Sequence, residues 1–198
     1  MVQFHAAKHT KGYGFPMARK TKRDWFVTAV KILRREGPQG LTIDALCQSL
    51  GMTKGSFYHH FGSYEGFKTQ FLAFYEQEGT LDIISQLAAL PTAKEKLHQL
   101  LAIIVDFSTK FPEDPDVAMR VWALQDTAVA QTQARVDGRR QAYVQSLCAE
   151  ITGDSALAAT SARLLYTVLV GSEQMQPPIV GADLQHLFNE CLRLYNLQ

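Results

Sequence analysis

The sequence predicts an all-α protein of about nine helices, and three observations support this fold class. Apolar residues recur at helical spacing along most of the chain. No segment shows the alternating β-branched pattern of a strand. Capping residues and glycine or proline breaks separate the periodic segments at intervals typical of helices. With 198 residues, 46% of them hydrophobic, the chain is long enough to bury a sizeable core.

The first third is predicted to contain three short helices and the start of a longer one. Gly37 and Pro38 end the first helix, because both residues interrupt helical geometry. Thr42, Thr53 and Ser63 can each cap the helix that follows. The predicted ranges are 21–36, 43–50, 54–61 and 64–89.

The rest of the chain is predicted to form five further helices. Thr92 can cap the first of them, and Gly153 followed by Asp154 marks the end of one helix and the cap of the next. Pro177 and Pro178 indicate a loop before the last helix. The predicted ranges are 93–111, 117–125, 127–151, 155–175 and 183–196.

Charge is distributed unevenly along the chain, although the net charge is only +1. Residues 1–64 carry ten Lys or Arg against three acidic residues, whereas residues 65–198 carry ten against sixteen. The first part should therefore attract a polyanion that the second part repels. This asymmetry predicts a polyanionic partner for the N-terminal third.

Three cysteines without a CxxC pair favour a reducing, cytoplasmic compartment. The apolar runs are much shorter than the roughly 18–20 residues of a bilayer span, so we expect no membrane association. Residues 1–18 lack the apolar stretch of a signal peptide and are predicted to be a flexible basic leader. Met1 and Met17 are alternative natural starts.

Residues 42–61 fit a helix-turn-helix, the motif that places its second helix in the major groove of DNA. About four residues, Ser49-Leu50-Gly51-Met52, join the two helices. Phe57 and Phe61 are four residues apart and can anchor the second helix to a core, which leaves its polar residues outside. That helix spans about 10 Å, and the major groove is about 12 Å wide, so the element fits the groove.

The run Thr53-Lys54-Gly55-Ser56-Phe57-Tyr58-His59-His60-Phe61 resembles the signature of tetracycline-repressor-type (TetR family) transcriptional regulators. The order of elements from Arg19 to Gly79 is also similar to that family. The resemblance implies a DNA-binding domain over residues 19–79 and a regulatory, ligand-binding and dimerisation domain over residues 80–198. It further implies a homodimer that binds double-stranded operator DNA, most often a repressor of a nearby operon that a small molecule releases.

The resemblance also implies which residues contact DNA. The side chains expected at phosphates are those of Thr42, Thr53 and Tyr58. The side chains expected at or near base edges are those of Lys54, Ser56 and His59, with Gly55 permitting a close approach of the backbone.

One position departs from the family pattern, which usually has lysine where this chain has Tyr64 at the start of the fourth helix. A phenol can donate one hydrogen bond to a phosphate, but it brings no charge to release counterions. Either DNA affinity is lower in this protein, or a basic arm of Lys20, Lys22 and Arg23 compensates.

Aromatic and mixed-polarity residues within the apolar stripes of the second domain are candidates for the lining of an effector cavity, although each also suits an ordinary core. These residues are His98, Phe107, Trp122, Tyr166 and Met175. Their large area and few charges favour an aromatic or hydrophobic ligand, with His98 as a polar handle.

The last two helices are apolar over more than one narrow stripe, so each needs cover on two sides. A two-fold four-helix bundle would provide that cover. The residues expected at this dimer interface are Leu157, Leu164, Leu165, Val168, Leu169, Leu184, Leu187, Phe188, Cys191, Leu192 and Tyr195.

We expect no metal, cofactor or catalytic activity. His59 and His60 are adjacent on a helix and diverge by about 100°, so they cannot easily bind one ion together. Two other functions stay open: a helical interaction module that has lost DNA binding, and an enzyme acting on an anionic substrate. The sequence has neither a glycine-rich phosphate loop nor a convergent acid–base set to support the enzyme.

Overall fold

The computed structural model describes residues 20–111 and 115–197, so the predicted leader lies outside the described residues. All regular elements within these ranges are helices, which confirms the all-α fold class. They are α1 (Lys22–Gly40), α2 (Ile43–Leu50), α3 (Lys54–Phe61), α4 (Tyr64–Glu76), α5 (Asp82–Leu87), α6 (Ala93–Lys110), α7 (Pro115–Ala123), α8 (Thr127–Thr152), α9 (Ser155–Gln174) and α10 (Gly181–Leu194).

A π-helical turn, Gln77–Leu81, connects α4 to α5. We call this segment the π turn. If α4, the π turn and α5 count as one helix, the described residues contain nine helices, the number that the sequence predicts. The π turn itself was not predicted, because a single inserted residue hardly disturbs an apolar periodicity.

The predicted caps and breaks of the first helices are confirmed. Thr42, Thr53 and Ser63 each accept a hydrogen bond from the backbone N–H three residues ahead, at 3.0–3.2 Å. Gly37 has φ 69° and interrupts α1, so the regular part of that helix ends where the sequence predicts. These interactions are local, which explains why the sequence reveals them.

Two helix starts differ by two residues from the sequence-based ranges. Helix α7 begins at Pro115 and α10 at Gly181, each two residues earlier than expected. Proline is compatible with a first helical position, because the N–H that it lacks would have no helical partner there.

The first hydrophobic core surrounds the N-terminal helices. Trp25, Phe57, Phe67 and Phe71 are fully buried in it. The same core includes residues of α7 and of the first half of α8, namely Ala118, Met119, Trp122, Val129 and Val136. The core therefore continues past residue 79, where the sequence suggests a domain boundary, because the apolar face of α7 packs against α1.

The second hydrophobic core lies between α6, the second half of α8, α9 and α10. Leu97, Cys148, Ala158 and Phe188 are fully buried there. This core holds together the C-terminal part of the chain. None of the helices in the described ranges combines the length and apolar character needed to cross a membrane.

Candidate nucleic-acid interface

The turn between α2 and α3 has the geometry of a helix-turn-helix. Gly51 adopts the left-handed conformation at φ 66° and ends α2. The N–H of Met52 then donates to the carbonyl of Cys47 at 2.9 Å, and Thr53 caps α3. These residues fix the angle at which α3 leaves the turn.

Aromatic packing holds α3 against α1 and α4. The ring centroid of Trp25 lies 5.6 Å from that of Phe57 and 6.0 Å from that of Phe61, in edge-to-face arrangements. Phe67 contacts the same two rings at 5.5 and 5.1 Å. The recognition helix is therefore fixed on its inner side, and its outer side is free to contact a ligand as a rigid unit.

The outer side of α3 carries the side chains that the sequence places there. Lys54, Tyr58 and His59 are exposed, and Ser56 is half-buried. His60 is half-buried as well, with its ring 6.2 Å from Trp25. The structure therefore assigns His59 to the exposed face and His60 to the packing of α3.

Lys54 forms an ion pair with Asp44 of α2, with 2.7 Å between Nζ and Oδ1. Both side chains are largely exposed. The hydrogen bond and the charge of Asp44 raise the pKa of Lys54, so its ammonium group stays protonated. A solvent-exposed pair of this kind is weak and screened by salt, so a phosphate or a base edge can replace Asp44.

Thr42 and Thr53 lie at the first turns of α2 and α3, where backbone N–H groups have positive partial charge. Each hydroxyl oxygen accepts the capping hydrogen bond from the backbone. The hydroxyl hydrogen is therefore available for donation to a phosphate oxygen.

Tyr64 does not have the orientation expected for a phosphate contact. Its hydroxyl donates to the carbonyl of Leu41 at 3.0 Å, across the start of α2. Burial raises the pKa of Tyr64, in agreement with this inward position. Its only hydrogen is used inside the protein in this arrangement, so a phosphate contact of Tyr64 requires that the hydroxyl leave the Leu41 carbonyl, and the contact stays a prediction.

Replacing Tyr64 by Phe tests whether the hydroxyl serves the fold or a phosphate. We expect a loss of about 0.5–1.5 kcal/mol in the free energy of unfolding, since the buried Leu41 carbonyl loses its donor. Chemical denaturation measures this loss. The salt dependence of DNA binding should not change, and a weaker salt dependence in Tyr64→Phe would restore the phosphate contact.

The basic arm is only partly free. Arg23 donates two hydrogen bonds of 2.9 Å to Glu78 of the π turn. Lys22 donates to Gln70 of α4 at 2.6 Å, and its ammonium group lies 5.7 Å from the ring centroid of Phe61. Lys22 thus stays close to α3, whereas Arg23 is directed towards the π turn. Glu78 occupies one edge of the largely exposed Arg23 guanidinium, so a phosphate would have to displace it or use the other edge, and the phosphate contact of Arg23 stays a prediction.

The structure does not bring the five predicted effector-lining residues together. His98 and Met175 are exposed, and Trp122 stacks on Phe71 in the first core. Phe107 packs on Phe111 at the end of α6. Of the five, Tyr166 lines a cavity in the second core, of about 30 Å³. The other residues around that cavity are Leu100, Leu101, Ile104, Val144, Leu165, Leu169 and Phe188.

The predicted dimer residues divide into two groups. Leu165, Leu184, Phe188, Cys191 and Leu192 are buried in the second core and cannot face a partner. The half-buried residues are Leu157, Leu164, Val168, Leu169, Leu187 and Tyr195. An open groove of about 400 Å³ follows the outer side of α9 and is lined by Ala159, Thr160, Arg163, Leu164, Thr167 and Tyr195. Sequence periodicity finds the apolar residues of a helix but does not distinguish its inner from its outer face.

Two features of the structure were missed from the sequence. Gly66 leaves no room for a side chain, since an added Cβ would lie 2.3 Å from the carbonyl oxygen of Phe61. A glycine near a helix start, where most residues would be more favourable, was the available signal. The second feature is a buried ionic network around Asp116 and Arg140, whose members are too far apart in sequence to be paired by inspection.

The described residues include no group of three or more His, Cys, Asp or Glu side chains that could hold a metal ion. Cys47, Cys148 and Cys191 are buried free thiols. Burial raises the pKa of all three, which disfavours the reactive thiolate.

An N-terminal helix-turn-helix with a rigidly anchored recognition helix, followed by a larger helical part, defines the class of helix-turn-helix regulators. Residues 26–67 match the family model described as bacterial regulatory proteins, tetR family. A TetR transcriptional regulator from Legionella pneumophila has the same fold, with 10% identity, a TM-score of 0.72 and coverage of 89% of this chain and 96% of that chain. The N-terminal segment therefore matches the tetR family model, and the chain as a whole shares the fold of the Legionella pneumophila regulator.

Two further solved structures are similar over most of the chain. A TetR transcription regulator from Haloarcula marismortui is 16% identical, with a TM-score of 0.70 and coverage of 88% and 95% of the two chains. A transcriptional regulator from Saccharomonospora viridis in complex with choline is 13% identical, with a TM-score of 0.69 and the same two coverages, 88% and 95%. No curated protein matches the sequence.

Proposed function

We propose that the protein is a homodimeric repressor that binds operator DNA through α3 and releases it when a small hydrophobic molecule enters the second core. The observation that supports DNA binding most directly is the exposed face of Lys54, Tyr58 and His59 on a helix whose inner face is fixed by aromatic packing. Such a face reads base edges as a rigid unit.

DNA binding can be tested without knowing the operator. The wild-type protein is used to select duplexes from a random-sequence library, and the selected duplex then serves as the probe. We expect a roughly palindromic sequence whose half-sites are separated by about 34–36 Å or more. The logarithm of the binding constant should fall linearly with the logarithm of salt concentration. Failure to enrich any duplex would favour the alternative of an interaction module that has lost DNA binding.

Gly55 separates a contribution to DNA binding from a contribution to folding. A Cβ at this position would meet only Thr53 Oγ1, at an ordinary contact distance of 3.7 Å. Gly55→Ala should therefore leave stability unchanged or raise it by up to about 1 kcal/mol. If α3 approaches the DNA backbone at Gly55, the added methyl should weaken binding by about tenfold, or 1.4 kcal/mol.

The measurement is the affinity for the selected duplex together with the melting temperature. Gly138→Ala is the matched control, since it makes the same change in α8 with nothing within 4 Å of the added Cβ. A Gly55→Ala protein that binds DNA as tightly as this control would remove Gly55 from the interface.

The dimer interface is proposed at the groove on the outer side of α9. Leu164 and Tyr195 supply apolar area, and Thr160 and Thr167 are small enough for a second helix to approach. A two-fold axis through this groove would pair α9 and α10 with the same helices of a second copy, as the sequence suggests.

Charging the groove should dissociate the dimer. Thr160→Glu with Thr167→Glu changes two exposed residues, so the core of each subunit is unaffected. We expect a monomer in analytical ultracentrifugation at a concentration where the wild type is a dimer. Gln131→Glu with Gln145→Glu adds the same charge to exposed positions of α8 and should stay dimeric. A dimeric groove variant would place the interface elsewhere.

The effector site is proposed at the cavity in the second core. Seven of its eight lining side chains are aliphatic or phenyl groups, and the eighth is Tyr166. Its volume of about 30 Å³ is far below the roughly 300–1,000 Å³ of a ligand pocket, so a ligand has to open it. That a structurally similar regulator was solved with choline supports a small-molecule effector in this fold. Here the lining favours a hydrophobic compound with at most one polar group, placed near the Tyr166 hydroxyl.

A further inference from the structure

A chain of buried and half-buried polar side chains connects the cavity wall to the π turn. Its members lie on α4, α7, α8 and α9, and each lies within hydrogen-bond distance of the next. We call this chain the polar relay. It consists of Tyr166, Asp137, Gln133, Tyr75, Asp116 and Arg140.

At the cavity end, the ring of Tyr166 forms part of the wall. Its hydroxyl donates to Asp137 Oδ1 at 2.7 Å and accepts from Arg120 Nη2 at 3.3 Å. Arg120 also donates two hydrogen bonds to Asp137, at 2.9 and 3.1 Å. A ligand that enlarges the cavity on this side therefore moves the side chain of the wall that is hydrogen-bonded to this ion pair.

In the middle, Gln133 lies between the Arg120–Asp137 ion pair and the Arg140–Asp116 ion pair. Its Nε2 donates to Asp137 Oδ1 at 2.8 Å, and its Oε1 lies 3.2 Å from the hydroxyl oxygen of Tyr75. The single hydroxyl hydrogen of Tyr75 is donated to Asp116 Oδ1 at 2.5 Å, so Gln133 Oε1 is its second and more distant acceptor. Gln133, Tyr75 and Asp116 are all buried, so water does not compete strongly for these bonds.

At the other end, Arg140 pairs with Asp116 and contacts the π turn directly. Its Nε donates to Thr80 Oγ1 at 3.0 Å, and its Nη2 donates to the carbonyl oxygen of Gly79 at 3.1 Å. On its opposite side, the π turn holds α1 through the bidentate pair of Glu78 with Arg23. The π turn is thus hydrogen-bonded both to α8 and to α1.

We propose that the π turn is a two-state element whose geometry the polar relay controls. Movement of Tyr166 loosens the relay, Arg140 releases Gly79 and Thr80, and the turn converts to α-helical hydrogen bonding. This conversion shifts one flank of the helix by one residue, which is about 1.5 Å along the axis and 100° around it. The inference rests on the proposed function, because it supplies the route by which the cavity affects α3.

The π-helical and the α-helical state of residues 77–81 differ in their backbone hydrogen bonds. In a π turn the bonds run from residue i to i+5, and the inserted residue distorts the regular ladder. Arg140 stabilises that geometry by donating to the Gly79 carbonyl. Without this donor, a regular α-helix satisfies the backbone better. An element with two such arrangements is what coupling between distant sites requires.

The test compares two Tyr→Phe variants of the full-length protein. Tyr166→Phe removes the relay hydroxyl at the cavity. Tyr143→Phe is the matched control, because this tyrosine packs on the same core while its hydroxyl has no hydrogen-bond partner among the described residues. Amide hydrogen exchange is followed by mass spectrometry in residues 77–87, with residues 184–192 of α10 as internal reference.

We expect Tyr166→Phe to accelerate exchange in residues 77–87 by at least about fivefold relative to the reference, at the lower end of typical allosteric couplings. Tyr143→Phe should leave it unchanged. In a Gln133→Met background, where the bridge is absent, Tyr166→Phe should have no further effect. Equal effects of the two tyrosine variants, no effect of Tyr166→Phe, or an effect that persists without Gln133 would each overturn the proposal.

DNA affinity provides the second readout. On the duplex selected by the wild type, Tyr166→Phe should weaken binding by about fivefold or more, and Tyr143→Phe should not weaken it. Unchanged affinity of Tyr166→Phe would overturn the coupling to α3. If the wild type selects no duplex, the proposed function fails, and the exchange measurement alone decides whether the relay controls the π turn.

Discussion

Replacing Asp116 by Asn is expected to cost about 3–5 kcal/mol of the free energy of unfolding, the range found when one partner of a buried ion pair is removed. Asp116 is 6% exposed, and its carboxylate pairs with Arg140 and accepts from Tyr75. The substitution keeps the shape of the side chain but leaves the Arg140 guanidinium without a counter-charge in the interior.

The double variant distinguishes an unpaired charge from lost packing. Asp116→Asn with Arg140→Met removes both charges, so it should cost less than the sum of the two single variants. Arg193→Met breaks the exposed pair with Glu190 and serves as the control for a surface ion pair. Urea denaturation measures the wild type and all four variants. An Asp116→Asn variant as stable as Arg193→Met would show that the buried pair contributes nothing.

The same pair predicts a dependence on pH. Burial opposes the charge of Asp116, but the positive charge of Arg140 and the hydrogen bonds from Arg140 and Tyr75 outweigh it, so the pKa of Asp116 is lowered. A lowered pKa stabilises the folded state above the unfolded-state value of about 4, and this contribution is lost as the pH falls through the folded-state pKa. The stability difference between wild type and Asp116→Asn should therefore shrink below about pH 4.

Gly66→Ala is expected to have the second large effect, a loss of about 1–3 kcal/mol or more from overpacking. An added Cβ would lie 2.3 Å from the backbone carbonyl of Phe61 and 3.3 Å from Ser63 Oγ. A flexible side chain could move aside, but the Phe61 carbonyl belongs to the end of the recognition helix. Relief of the clash would therefore displace α3 relative to α4.

Thermal unfolding measures the effect, and Gly138→Ala is again the control. Gly138 lies inside α8 with nothing within 4 Å of an added Cβ, so alanine there should stabilise by about 0.5–1 kcal/mol. The two variants make the same chemical change with opposite expected signs. A stable Gly66→Ala protein would mean that the first turn of α4 adjusts without cost.

The sequence by itself determined the fold class, the ends of the first helices and the helix-turn-helix. Each of these depends on interactions between residues close in the chain. Thr53 caps α3 through the N–H of Ser56, and Gly51 ends α2 because glycine accepts a positive φ. The outward position of Lys54 and His59 followed from the burial of Phe57 and Phe61 four residues apart.

Only the tertiary structure decided where several long-range partners lie. The Tyr64 hydroxyl bonds to the Leu41 carbonyl 23 positions earlier, and Trp122 joins the first core instead of an effector cavity. Leu165 and Phe188 pack within their own chain, because α6 and α8 supply the cover that the sequence assigned to a second copy. Helical periodicity shows that a face is apolar, but it does not show which element covers that face.

The polar relay is the clearest case of what the tertiary structure alone shows. Arg140 contacts Gly79 and Thr80 from 60 or more positions away, and its pairing with Asp116 spans 24. In the sequence these residues look like ordinary charges on solvated helix faces. They become a buried network because four helices meet there, and a charge can be buried only where a partner of opposite charge arrives with it.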